Sequence, residues 1–144
     1  MKHPTAEHDA AAPEAGGWVE GSVCAPRGYR AAGIHCGIRR SHPDLALLAS
    51  EAPASVAATF TTNRVQAAPV RYSRRVARRG RGRAVVVNSG VANACTGERG
   101  MEDARETARL AAGALGVPRE EVLVASTGLI GEPLPMDAVR RGVP

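Results

Sequence analysis

Aromatic side chains are scarce in this chain of 144 residues, of which they make up only 3%. A core without large rings must be built from valine, leucine, isoleucine and alanine, whose small side chains allow helices to pack closely on a sheet. The length fits one domain of ordinary size. The composition therefore predicts a layered α/β or α+β fold.

Cysteine is also rare, and Cys24, Cys36 and Cys95 are odd in number and widely separated. No stretch has the features of a secretory signal, so we expect a cytoplasmic location. The longest apolar runs fall short of the roughly 20 residues of a membrane-spanning helix, so none is predicted. Together, Cys24, His35, Cys36 and His42 could hold zinc, but their spacing matches no common site, and we predict ordinary side chains and no bound metal.

Lysine is nearly absent, because Lys2 is the only one, and the net charge of +5 comes from arginine concentrated in residues 71–83. Such a run can bind phosphate backbones, so a basic nucleic-acid-binding module is one hypothesis. Against it, the run offers only Tyr72 for base stacking and carries no zinc-finger or RNA-binding signature. The favoured interpretation is an exposed helix face, away from any active site, formed by Arg74, Arg75, Arg78 and Arg79.

The first half of the chain reads as a mobile tail over residues 1–16 followed by short extended segments. The alternation at Trp18–Val23 is typical of a strand. Two further strands are predicted at Asp44–Ala49 and Ser55–Thr61, paired as a hairpin across residues 50–54.

The second half shows clearer periodicity. A short basic helix is predicted from Pro69 to a stop at Gly80, and a longer one over residues 101–115, closed by Gly116. The β-branched runs Ala84–Asn88 and Val122–Ala125 predict two strands covered on both faces. A last short helix is suggested over Pro135–Arg141.

Polar, glycine-bearing loops follow both covered strands, at residues 88–97 and 126–131. Ligand-binding groups commonly sit where covered strands end. Backbone N–H groups freed by glycine and nearby hydroxyls could bind a carboxylate, a phosphate or a developing oxyanion. Plain turns have the same composition, and no Walker lysine, dinucleotide fingerprint, nucleophile elbow or paired-histidine motif is present.

Three motifs, taken in order and spacing, carry a family resemblance: FTTNRVQAAPV at 60–70, VVVNSGVANACTG at 85–97 and ASTGLIGEPLPMDAV at 125–139. Together they resemble the ornithine acetyltransferase family, also called glutamate N-acetyltransferase or ArgJ. The resemblance begins near Val23 and runs to the last residue, so residues 17–144 would be the amino-terminal, α-chain part of an ArgJ-like domain that is incomplete at its carboxyl end. It implies an ArgJ/DmpA-like fold with a mixed sheet and packed helices.

The resemblance implies an arginine-biosynthesis acyltransferase that moves acetyl from N2-acetylornithine to L-glutamate, with acetyl-CoA as a possible co-substrate and no bound cofactor. The precursor cleaves itself before a threonine, which becomes the nucleophile of a β chain in an α2β2 assembly. The family's oxyanion hole falls on Thr127 and Gly128. A candidate substrate-binding loop falls on Asn88, Ser89, Gly90 and Asn93. Neither nucleic acid nor membrane is an expected partner.

The chain also departs from the family pattern. Val91 replaces a polar side chain of the NSGNAN motif, and Arg39 stands where a lysine often follows Gly-Ile. The sequence stops before the cleavage threonine, so this chain alone is expected to be inactive, whether it is a fragment, a truncated gene product or part of a split enzyme. An inactive remnant or regulatory paralogue that keeps the fold is the alternative. A purely structural alternative for Thr127 is that it caps the helix suggested at Pro135–Arg141.

Overall fold

The structure is a computed structural model that describes residues 20–143. Four strands and three helices follow in the order β1 (Tyr29–Ile34), β2 (Leu45–Ser55), α1 (Ala68–Ala77), β3 (Arg81–Val91), α2 (Gly97–Leu115), β4 (Val122–Leu129) and α3 (Met136–Gly142). The strands form one sheet in sequence order. Neighbours β1–β2 and β2–β3 are antiparallel, whereas β3 and β4 are parallel and joined through α2. The predicted layered fold, a mixed sheet with packed helices, is confirmed.

Small side chains build the core, as the shortage of aromatics predicts. Helix α2 presents Ala104, Ala108 and Ala111, all fully buried, at helical spacing toward the valines of β3 and β4. Val86 of β3 and Val122 of β4 are buried to 1% and 0% exposure. Alanine on the helix lets its backbone approach the sheet closely, because no long side chain separates the two layers.

The helices match the sequence periodicity well. Helix α1 spans Ala68–Ala77 with proline in its first turn, and α2 ends where Gly116 adopts the left-handed conformation at φ 64°. Helix α2 begins four residues earlier than predicted. Helix α3 follows Pro135 as expected. Among the helices of residues 20–143, none has the length and hydropathy needed to cross a membrane.

The strands of the first half differ from the prediction. The predicted tail and Trp18 and Val19 lie outside the described residues, and residues 20–23 form no strand. The hairpin across residues 50–54 is wrong, because β2 continues through them to Ser55 and residues 56–61 are not a strand. Strand β2 pairs with β1 on one side and β3 on the other, with a shift of register between Ala49 and Ala54. Pro53 lies in the irregular stretch between these two residues, where its missing N–H removes no hydrogen bond between strands.

Strand β4 is an edge strand, and α1 protects part of its open side. The Ser73 hydroxyl donates to the Val124 carbonyl oxygen over 2.7 Å and accepts from the Val124 N–H over 2.8 Å. Ser73 is 5% exposed and Val124 is 4% exposed, so water does not reach this pair readily. One side chain therefore satisfies both backbone groups that Val124 directs away from β3.

We predict that Ser73→Ala lowers the free energy of unfolding by about 2 kcal/mol, because it leaves a buried N–H and a buried carbonyl of β4 without partners. Urea denaturation measures the change. Ser55→Ala removes an exposed hydroxyl and serves as the control, with an expected change within about 0.5 kcal/mol. Equal stability of the two variants would contradict the role assigned to Ser73.

Candidate functional site

The parallel strands β3 and β4 extend together beyond their predicted ends. Strand β3 continues to Val91 and β4 to Leu129, so the first four residues of each predicted loop, 88–91 and 126–129, are strand. Ser89 pairs in register with Thr127, and Gly90 with Gly128. The two polar motifs thus meet side by side at the carboxyl end of the parallel pair.

Glycine is required at Gly128. Its φ of 133° lies in the region that L side chains rarely adopt, and so does the φ of 114° at Gly90. A Cβ on Gly128 would overlap the carbonyl group of Gly90 and lie 2.5 Å from the Val91 nitrogen. The backbones of β3 and β4 therefore approach more closely here than any side chain at Gly128 would permit.

A loop over residues 35–43 lies against this end of the sheet, and the Asp44 carboxylate holds it. Asp44 is 2% exposed, and it accepts from the backbone N–H groups of Cys36 (2.7 Å), Gly37 (3.1 Å) and Arg39 (2.9 Å). The Nδ1 of His35 lies 3.1 Å from the same carboxylate. The Asp44 carbonyl oxygen accepts from the Ser89 N–H over 2.9 Å, which ties this loop to β3.

The pKa values of the loop follow from these contacts. Burial acts to raise the pKa of Asp44, but the hydrogen bonds from Arg39, Cys36 and Gly37 outweigh it and hold that pKa well below its usual range. Burial, together with the adjacent carboxylate, raises the pKa of the Cys36 thiol to about 11. Cys36 is therefore a protonated thiol at neutral pH and a poor nucleophile.

A cavity of about 550 Å³ opens between the loop and the strand ends, lined by residues 38–41, Ser89, Gly90 and residues 127–129. Thr127 and Gly128 are both exposed there. Within residues 20–143, the Thr127 hydroxyl makes no hydrogen bond. Gly128 lies beside Thr127 on the edge strand β4, and its φ of 133° takes the backbone out of the regular extended conformation there.

The four residues of the candidate substrate-binding loop divide into two pairs. Ser89 and Gly90 line the cavity. Asn88 and Asn93 are buried beneath it, at 2% and 0% exposure, and their amides donate to the carbonyls of Val91 and Gly100 over 2.8 Å each. Asn88 therefore holds the end of β3 beside the cavity wall, whereas Asn93 ties the segment after β3 to the first turn of α2.

Two buried oxygen atoms lie under the cavity without a hydrogen-bond partner in the described part of the chain: Asn88 Oδ1 and Ser126 Oγ. Asn88 and Ser126 are register partners on β3 and β4. Unpaired buried polar atoms are uncommon and tend to mark functional regions. Val91, the departure from the family motif, is 8% exposed and packs in the core, where its apolar side chain fits.

The arginines of α1 lie elsewhere. Arg75, Arg78 and Arg79 are exposed as predicted, and none of the four predicted arginines lines the cavity at Thr127. Arg74 was predicted to be exposed, but it is half-buried. Its guanidinium lies 5.3 Å from the centroid of the Phe60 ring and donates to Gln66 Oε1 and the Thr61 carbonyl oxygen. Stacking on the preceding segment draws it away from solvent.

Sequence reasoning missed Asp44 and its loop. It considered His35 and Cys36 as zinc ligands, whereas within residues 20–143 no three His, Cys, Asp or Glu side chains are arranged to hold a metal ion. The signal that could have found the loop is the acidic side chain directly before an apolar strand, since a buried carboxylate needs several donors nearby.

Comparisons with known proteins identify the family of this chain. The model of the ArgJ family matches residues 30–144. The chain belongs to the ArgJ family. It is 50% identical over 125 residues to the arginine biosynthesis bifunctional protein ArgJ of Caldanaerobacter subterraneus, covering 87% of this chain and 31% of that protein. It is 55% identical over 119 residues to the ArgJ of Geobacter sulfurreducens, covering 82% of this chain and 30% of that one.

Solved ArgJ structures share the fold. The crystal structure of ArgJ from Bacillus halodurans superposes with a TM-score of 0.82 at 46% identity, covering 85% of this chain and 65% of that one. The ornithine acetyltransferase of Mycobacterium tuberculosis, complexed with ornithine, gives a TM-score of 0.79 at 50% identity, covering 83% and 65%. The family resemblance and the expected fold are confirmed. The chain spans about a third of the length of the curated ArgJ relatives it matches, at 31% and 30%.

We predict that Gly128→Ala in this ArgJ chain lowers the free energy of unfolding by at least about 3 kcal/mol, because the new methyl group meets backbone that cannot move without separating β3 from β4. Gly131→Ala is the matched control. Gly131 also has a positive φ, of 84°, but a Cβ there meets nothing within 4 Å. Its expected cost is the conformational one alone, about 1–2 kcal/mol. Thermal or urea unfolding compares the two, and equal losses would contradict the close approach.

A second prediction concerns Asp44→Asn, which replaces an acceptor facing three N–H groups with a side chain that also donates. We expect a loss of about 3 kcal/mol at pH 7. A depressed pKa contributes stability above the unfolded-state pKa of about 4, and this contribution is lost as pH falls through the folded-state value. The stability difference between wild type and variant should therefore shrink on acidification from pH 5 to about pH 2. A stability difference that stays constant over that range would contradict the role assigned to the ionised Asp44 carboxylate.

Proposed function

We propose that this chain is the α-chain portion of an acetyltransferase that moves acetyl from N2-acetylornithine to L-glutamate, with acetyl-CoA as an alternative donor. The names of its relatives, arginine biosynthesis bifunctional protein and ornithine acetyltransferase, support the reaction class. One observation in this chain carries the assignment. Thr127, whose hydroxyl makes no hydrogen bond within residues 20–143, and the neighbouring Gly128 are both exposed and line the same cavity.

In this proposal, Thr127 and Gly128 form an oxyanion hole. When a nucleophile attacks the acetyl carbonyl, the oxygen gains negative charge, and two donors that are already in place stabilise it without reorganisation. Each such donor is worth roughly 3 kcal/mol in enzymes where it has been removed. The role requires donors that are not occupied inside the protein, and the open edge of β4 supports that requirement.

The nucleophile is proposed to be the amino-terminal threonine of a β chain, released by self-cleavage of the precursor and paired with this chain in an α2β2 assembly. Its α-amine would accept the hydroxyl proton as the hydroxyl attacks the acetyl carbonyl. The C–N bond of N2-acetylornithine then breaks, and ornithine leaves with the proton that the α-amine had accepted. The amine of glutamate next attacks the acetyl-threonine ester and loses its proton through the same α-amine, so that N-acetylglutamate forms and the threonine hydroxyl is restored. This chain contributes the hole and one wall of the substrate cavity.

A structural role for Thr127 as a helix cap has no support. Helix α3 begins at Met136 with Pro135 at its N-cap, and no side chain caps it. Thr127 is instead a residue of β4.

We predict that Thr127→Ala, in the enzyme containing this chain and its β chain, lowers kcat about 100-fold or more with a smaller effect on KM, because the lost hydrogen bond strengthens only in the transition state. Steady-state transfer of acetyl from N2-acetylornithine to glutamate measures both constants. Thr127→Ser keeps the hydroxyl and should retain most of kcat. A kcat near wild type for Thr127→Ala, with stability unchanged, would remove the catalytic assignment.

A further inference from the structure

We infer that the Arg39 side chain binds the carboxylate of the amino-acid substrate at the cavity beside Thr127 and Gly128. The inference rests on the proposed function, since it concerns the same site, and it adds the group that selects the substrate. Arg39, whose guanidinium forms no ion pair within residues 20–143, lines the cavity together with Thr127 and Gly128, the two proposed oxyanion donors.

Arg39 makes one contact through its backbone and another through its guanidinium. Its backbone N–H donates to the buried Asp44 carboxylate over 2.9 Å. Its Nη1 lies 3.4 Å from the Ser89 hydroxyl oxygen. Between these points the stem lies against β3, where a Cβ on Gly90 would come within 2.8 Å of the Arg39 Cγ. The absence of a side chain at Gly90 therefore makes room for the arginine stem on the strand.

The charge of Arg39 is available to a ligand. Within residues 20–143, its guanidinium forms no ion pair. The residues that line the cavity include two arginines, Arg39 and Arg40, and no acid. The carboxylate of Asp44 lies nearby, but it is buried beneath the loop, accepts from backbone N–H groups, and lies 3.1 Å from the Nδ1 of His35. The cavity therefore presents net positive charge and favours an anionic ligand.

The location fits a carboxylate on the carbon atom that bears the acylated nitrogen. Ser89, which Arg39 touches, is the register partner of Thr127. Register partners on neighbouring strands lie about 4.8 Å apart. In an N-acetylated amino acid, the acetyl carbonyl and the α-carboxylate are separated by only a few bonds. A substrate whose carbonyl oxygen faces Thr127 and Gly128 can thus place its carboxylate at Arg39, whose planar guanidinium matches it with two parallel hydrogen bonds.

The test compares two acetyl donors that differ only in the carboxylate, N2-acetylornithine and N-acetylputrescine, in the complete enzyme containing this chain. The preference for the acid is the ratio of their kcat/KM values, and calorimetric Kd values give the same ratio for binding. Arg39→Gln should lower the preference about 10- to 100-fold, chiefly through KM, because the carboxylate is bound equally in ground and transition states. Arg39→Lys should retain part of it, since the charge remains without the fork.

Arg75→Gln is the matched control, because it removes the same charge from an exposed position outside this cavity, and it should leave the preference unchanged. Thr127→Ala should slow both donors alike, so a failure of the oxyanion assignment is seen separately from a failure of this one. A wild-type preference in Arg39→Gln, or a loss that appears in Arg40→Gln instead, would overturn the assignment to Arg39.

Discussion

The close contact of two strand backbones at Gly90 and Gly128 is the constraint on which the rest of the site depends. Both residues adopt positive φ values, and neither can carry a side chain without meeting its neighbours. Because the backbones touch, β3 and β4 remain paired through Val91 and Leu129 instead of separating after their apolar segments. That extension places Ser89 and Thr127 side by side, and it gives the Arg39 stem a flat surface to lie on. The geometry of the cavity thus follows from two missing side chains.

The open edge of β4 serves two purposes along its length. At Val124, the backbone groups directed away from β3 are satisfied by Ser73 of α1, which protects the edge from pairing with another chain. Beyond Val124 the strand continues to Leu129, and its exposed residues Thr127 and Gly128 line the cavity. Strand β4 therefore packs against α1 near Val124, and its last residues, 127–129, remain open to a ligand in the cavity. A donor that was paired within the sheet could not stabilise a developing charge without first losing its partner.

The parts that could be predicted from sequence are those specified by local pattern. The valine runs of β3 and β4 and the alanine stripe of α2 carry their periodicity in consecutive residues, and Gly116 marks a helix end by itself. Strand β1 has no such signal, because all six of its residues are exposed and its pairing with β2 alone makes it a strand. The extension of β3 and β4 past Asn88 and Ala125 was missed for the same reason, since it depends on contact between glycines 38 positions apart. The ring of N–H groups around Asp44 is likewise a tertiary contact that composition does not reveal.

Under the proposed function, the arrangement of charge around the cavity would separate substrate selection from catalysis. The buried Asp44 carboxylate is surrounded by backbone donors, which stabilise its charge and leave little of it directed at the cavity. The buried Asp44 carboxylate therefore does not neutralise the Arg39 charge. A substrate carboxylate would pair with Arg39 as soon as the substrate binds. That pairing is the same before and during the reaction, so it affects affinity and not the rate of the chemical step. In the proposed reaction, the acetyl oxygen becomes negative only in the transition state, and the groups proposed to respond to that change are the uncharged dipoles of Thr127 and Gly128. If a bound carboxylate offsets the arginine charge, the rate of the proposed step depends on those two dipoles, and the close contact of Gly90 and Gly128 would hold them in place.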